Sequence, residues 1–189
     1  HTHTHTHEQG PEANDAVEMA HQAIMRISHM ERLNSLVKEL KGKSLAELKG
    51  YREPDDDVVD VMRCVAILVG HSKPDEVMEW RPIKVMLGKT GKQSLKKRIL
   101  SINLETLDQA LILKAGKWLE KIKDSDHVAE ISQAAMTFYE WSKGLIREAT
   151  NFHKNKNDVS EELLHLRLDR DNAGAVLQED ETGDDWKWL

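Results

Sequence analysis

The residues of this 189-residue chain that could do chemistry fall into four groups. They are alternating histidines at the start (His1, His3, His5, His7), adjacent carboxylates (Asp55, Asp56, Asp57), one thiol (Cys64), and a glycine-lysine stretch, LGKTGKQS, at residues 87–94. Imidazole is a good transition-metal ligand. A polar His-Thr tract, however, has no surrounding shell to fix a coordination geometry, so a low-complexity end is expected there and no native metal site. A phosphate-binding loop needs a glycine, four residues, and then Gly-Lys-Ser/Thr. Gly88-Lys89-Thr90 has Ile83 where that first glycine belongs, while Gly91-Lys92 has Met86 there and is followed by Gln93. Nucleotide binding is therefore not expected. The aspartates follow Pro54 directly, and carboxylates in a first helical turn favour the positive end of the helix dipole, so starting a helix accounts for them without catalysis. Cys64 is the single cysteine, which excludes an intramolecular disulfide and a cysteine-based zinc site. Set among apolar residues, it is expected to be a buried small hydrophobe in a reducing compartment. The other histidines are scattered, no Ser/His/Asp or Cys/His arrangement can be argued, and we expect neither a catalytic centre nor a cofactor.

The stronger signal is charge. Residues 81–123 hold eleven basic side chains (among them Arg81, Lys84, Lys89, Lys92, Lys96, Lys97 and Arg98) against Glu105, Asp108 and Glu120. That segment is +8, and with −6 for the whole chain the remainder carries −14. Such a band suits an anionic partner, whose attraction would speed encounter and weaken with salt. Trp118 is the one aromatic within its most basic part, so single-strand nucleic-acid binding by stacking is poorly supported.

Charged residues make up 32% of the chain and aromatics 5%, with few glycines and prolines, a balance that favours long exposed helices over sheet. The length suits one domain plus extensions. The most apolar stretch, residues 58–69, contains Asp60 and Arg63 and is too short to cross a bilayer. No signal peptide is visible, and the missing initiator methionine leads us to expect a piece of something longer. Residues 1–15 lack apolar periodicity and are expected to be disordered. From Ala16 onward Val17, Ala20, Ile24, Ile27, Met30, Leu33, Val37 and Leu40 recur every three or four residues, the seam of a long helix. Its heptad slips near Met30 as at a stammer, and so narrow a seam needs a partner helix.

Pro54 ends that run. The next helix has Val58, Val61, Met62, Val65, Leu68 and Val69 as its core face and Gly70 as its stop. Trp80 anchors a short helix. Another is expected through LETLDQALILKAGKWLEKI, with Leu104, Leu107, Leu111, Ala115 and Leu119 on one side. A further one starts near Asp126 with Val128, Ile131, Ala135, Phe138, Trp141, Leu145 and Ala149, and is the natural partner of the first long helix. HKNKND after Phe152 should break or fray it. Ser160 should open a short amphipathic helix, and residues 169–189 should form an acidic disordered tail whose Trp186, Trp188 and Leu189 could act as a docking peptide.

In this order LKGYREPDDDVVDVMRCVAILVG, MEWRPIKVML and HVAEISQAAMTFYEWSKGLIREA resemble three pieces of the dynein heavy-chain stalk tip, the microtubule-binding domain carried on an antiparallel coiled coil. The resemblance covers roughly residues 16–150. It implies tubulin contact, no chemistry in this chain, and a motor ATPase lying outside it. The departures are specific. Pro54 remains of a proline pair, with Asp55 in the second place. Val59 matches a tubulin-facing lysine and Arg63 an acidic residue, while Glu130 and Glu140 match basic positions and would repel tubulin's acidic surface.

The expected architecture is all-α, a small helical bundle at the end of an antiparallel coiled-coil helix pair. Its parts are a disordered segment (1–15), an outgoing helix (16–50), a tip bundle (51–126), a returning helix (127–152), and a short helix with an acidic tail (153–189). The candidate partner-binding residues are Arg52, Arg63, Lys89, Lys92, Lys96, Lys97 and Arg98. The expected partner is the microtubule or another axonemal protein, not membrane or nucleic acid. The expected location is the cytoplasm and cytoskeleton, with a ciliary or flagellar axoneme as the finer reading. A non-motor structural or adaptor protein that reuses the stalk-tip fold is the alternative.

Overall fold

A computed structural model describes the backbone of residues 10–184 and the side chains of residues 10–174. The histidine tract at residues 1–7 and Trp186, Trp188 and Leu189 lie outside the described residues. Among the latter the chain is all-α. The helices are α1 (Pro11–Lys38), α2 (Gly42–Gly50), α3 (Asp56–Leu68), α4 (Trp80–Leu87), α5 (Leu95–Leu100), α6 (Gln109–Glu120), α7 (Ser125–Ile131) and α8 (Gln133–Asp184), with short 3-10 turns at Gly91–Gln93 and Leu104–Thr106. The chain divides into two compact units, the first ending at Ala149 and the second starting at Thr150. No helix among the described residues is long and apolar enough to cross a membrane.

The core of the first unit is built on α3. Asp55 caps it by accepting the Asp57 N–H at 2.9 Å, and Asp56 and Asp57 occupy its first turn, the duty expected of the carboxylate run. Ten of its 13 residues are buried, Cys64 among them. Burial pushes the Cys64 thiol up to about 12, leaving a protonated, inert side chain. Gly70 ends the helix at φ 74°. Its N–H bonds Ile67 O at 3.0 Å and the His71 N–H bonds Ala66 O at 2.9 Å, the paired bonds of a Schellman stop. α3 packs most extensively on α6, and also on α4 and α7.

α1 and the first turns of α8 run antiparallel. His29 Nδ1 lies 2.8 Å from Glu148 Oε1, and four residues on, Leu33 faces Gly144, four residues back. A Cβ at Gly144 would stand 2.5 Å from one Leu33 methyl and 2.6 Å from the other, so a larger residue there must displace the Leu33 side chain. Phe138, Trp141, Leu145 and Ala149 of α8 and Val37 of α1 are fully buried, as the periodicity of both segments predicts. By contrast Val17, Ile24 and Ile27, in the earlier part of the same α1 seam, are exposed.

Several element boundaries differ from expectation for local reasons. The first helix starts at Pro11, not Ala16, because proline is preset for a first helical position and Glu12 sits in the favourable first turn. Helix does not persist from 16 to 50. It stops at Lys38 and restarts at Gly42, with Leu40 turned inward and its carbonyl taken by Lys96 Nζ at 2.6 Å. The α6 helix begins only at Gln109, where Asp108 accepts the Ala110 N–H, so Leu104 is buried from a 3-10 turn instead. The returning helix is split by the extended Ser132, whose buried Oγ accepts the Ala135 N–H at 3.1 Å and starts α8 anew.

In the second unit α8 continues through HKNKND without a break. Ser160 donates to Lys156 O at 3.0 Å as an interior helical residue, so it opens no new helix. Residues 169–184, expected to be disordered, are helical to Asp184. Leu163, Leu164, Leu166 and Leu168 are exposed on this segment.

Candidate functional site

The basic residues singled out by charge divide by what their side chains reach. Arg63, on α3, is a structural clamp. Its Nε donates to Met78 O at 2.7 Å, its Nη1 lies 3.1 Å from Asp60 Oδ1, and its guanidinium carbon sits 4.9 Å from the Trp118 ring centre. Burial raises the Asp60 carboxyl above its usual range despite the adjacent Arg63, so Arg63 is what keeps a charge tolerable there. Lys96 holds the carbonyl of Leu40 just past the end of α1. Arg98 donates through Nη2 to Val69 O at 3.0 Å and through Nη1 to His71 Nδ1 at 3.1 Å, closing the end of α3. Cations at helix C-termini match the negative end of the dipole. The short α5 thereby fastens two helix ends with two of its basic side chains. Burial first, then Arg98 and Lys89, hold His71 below its ordinary value, which keeps Nδ1 free to accept from Arg98.

Arg52, Lys89, Lys92 and Lys97 are exposed, and none has an ion-pair partner among the described residues. Lys89 and Lys92 lie on the loop between α4 and α5, and Lys97 is on α5 beside the clamping Arg98. The side chain of Lys49, from α2, reaches this loop, its Cδ within 3.8 Å of where a Cβ on Gly88 would be. The α4–α5 connection is thus one surface open to an anion, whereas Lys96 and Arg98, half-buried beside it, serve the fold. Val59 is only 8% exposed and cannot present its side chain to a partner. Glu130 and Glu140 are exposed.

Two features go beyond what the sequence suggested. Tyr51 joins three elements, its hydroxyl donating to Ile131 O at the end of α7 and its carbonyl accepting from Trp80 Nε1 at the start of α4, both at 2.8 Å. No short motif signals such a hub. On α6 and its C-cap, Lys114, Lys117, Trp118 and Lys121 recur at helical spacing, with Lys121 Nζ 4.1 Å from the Trp118 ring centre. That periodicity is present in the residues themselves. Asp55, Asp57 and His127 place one ligand atom each within 4.8 Å of one another. Asp55 is already engaged as the α3 cap and by His127 Nε2 at 3.2 Å. The Asp57 N–H and then His127 hold Asp55 below its usual range, and the same contact with Asp55 raises His127. The trio works as a charged clasp between α3 and α7.

No family model matches the chain, and no curated protein matches it significantly.

Proposed function

We propose that the chain is a microtubule-binding stalk-tip domain of a dynein-type heavy chain, of the axonemal class, acting as a docking module with no chemistry of its own. The observation that carries this reading is the antiparallel pairing of α1 with the start of α8, His29 beside Glu148 and Leu33 against Gly144, with α2–α7 following in sequence between the two. Exposed Arg52, Lys89, Lys92 and Lys97 supply positive charge for tubulin's acidic surface. Arg63, Lys96 and Arg98 act behind them as positioning residues. In this reading the motor's ATPase lies outside the chain.

Specific observations favour a second reading, a non-motor axonemal structural or adaptor protein with the same fold. Val59 is buried, Arg63 is spent internally, and acidic Glu130 and Glu140 are exposed at places matched to basic residues. Co-sedimentation with microtubules at two salt concentrations separates the two. A stalk tip pellets with microtubules at low salt and less at high salt, whereas a chain that stays in the supernatant at low salt contradicts the stalk-tip reading and favours the adaptor.

A further inference from the structure

An open groove of about 320 Å³ lies between α6 and the loop that joins α3 to α4. One wall is a single helical face carrying Lys114, Lys117, Trp118 and Lys121. The other is the loop, where Pro74 and Val77 offer apolar surface, Val77 being 56% exposed. The loop is tied in place, because Arg63 Nε holds Met78 O and the Glu76 N–H bonds Lys73 O at 3.0 Å. A wall fixed before binding lowers the ordering cost of docking.

The charges on the groove do not balance. Asp75 is paired with Lys114, while Glu76 Oε2 accepts the Lys73 N–H at 3.2 Å and keeps its charge, so the lining sets Lys114, Lys117 and Lys121 against Asp75 and Glu76. Lys117 and Lys121 are exposed and have no carboxylate at ion-pair distance among the described residues. Lys121 rests over the indole of Trp118, its Nζ 4.1 Å from the ring centre, and its charge also favours the Asp60 carboxylate. An occupant therefore needs carboxylates on the α6 side and an apolar side chain for Val77, Pro74 and Trp118. A nucleic acid strand would carry its phosphates past Asp75 and Glu76 as well, whereas a peptide can place its acids on one side only.

We propose that this groove docks a linear acidic peptide bearing one apolar side chain, its carboxylates on Lys117 and Lys121 and its apolar group between Val77 and Trp118. The proposal does not depend on the stalk-tip reading. The test is fluorescence anisotropy with the full chain and a short fluorescein-labelled Glu/Asp-rich peptide with one central leucine. Saturable binding that weakens with salt is expected. The double variant Lys117→Glu, Lys121→Glu and, separately, Val77→Asp should each weaken it by about tenfold or more. Replacing the peptide's leucine by serine should also weaken it, and Lys43→Glu on α2 should leave it unchanged. Circular dichroism checks that each variant is folded, and Val77→Asp alone decides if the lysine variant is not. Absence of saturable binding at low salt, equal binding by the folded groove variants, or tighter binding of a labelled single-stranded RNA would overturn the proposal.

Discussion

Arg63 and the histidine contacts show how single side chains here serve the fold before any partner. Removing the Arg63 guanidinium leaves the buried Asp60 without its ion-pair partner and frees the loop carbonyl of Met78. Arg63→Ala should therefore cost about 2–4 kcal/mol of stability in urea melts. Unchanged stability with lost partner binding would instead mean that the guanidinium faces outward. The histidines act in opposite directions. His127 is raised from the usual 6.5 by Asp55, so its contribution is complete below that value and is lost as pH rises through the raised one. His71 is lowered, chiefly by burial, so its contribution is complete above 6.5 and is lost as pH falls through the lowered value. Thermal melts from about pH 5 to about pH 9 should show His127→Ala losing stability relative to the parent mainly at the acid end, and His71→Ala mainly at the alkaline end. Parallel profiles for both variants would contradict these assignments. At this scale the sequence exposed charge but not use. Eleven basic residues in a band look alike on paper, and whether Lys96 reaches a carbonyl or Lys97 reaches water depends on how α5 is seated.

Among the elements, α1 approaches α8 tightly at Gly144. A side chain there must displace Leu33, whose methyls lie within clash distance of the point a Cβ would occupy. Gly144→Val should lower stability by about 1–3 kcal/mol through overpacking, and Gly144→Val combined with Leu33→Ala should recover part of it by making room. No recovery would mean that the glycine serves its own helix and not the pair. The helices themselves were largely legible. The proline, aspartates and glycine bounding α3 and the apolar row from Phe138 to Ala149 specify what is found, whereas of the α1 seam Val37 is buried and Val17, Ile24 and Ile27 are exposed. The misplaced boundaries share a cause. Ser132, Asp108 and the Leu40 carbonyl are fixed by single hydrogen bonds that periodicity does not encode, two of them local caps and one a tertiary contact. The uninterrupted α8 reflects the reverse, since HKNKND contains no proline or glycine to stop a helix already under way.

Across the whole molecule, the helical scaffold is distinct from the charge it displays. Arg63, Lys96 and Arg98 hold the ends and walls of the bundle, while Lys89, Lys92 and Lys97 remain outside, with no carboxylate at ion-pair distance among the described residues. Charge reversal of Lys96 or Arg98 would confound binding with folding, so the informative change is at the exposed lysines. The most direct measurement is microtubule co-sedimentation of the chain beside its Lys89→Glu, Lys92→Glu, Lys97→Glu variant, with equal folding verified by circular dichroism. A stalk tip that binds through this surface pellets with microtubules at low salt, and its variant stays largely in the supernatant. A parent that does not pellet, or a folded variant that pellets equally well, would contradict it.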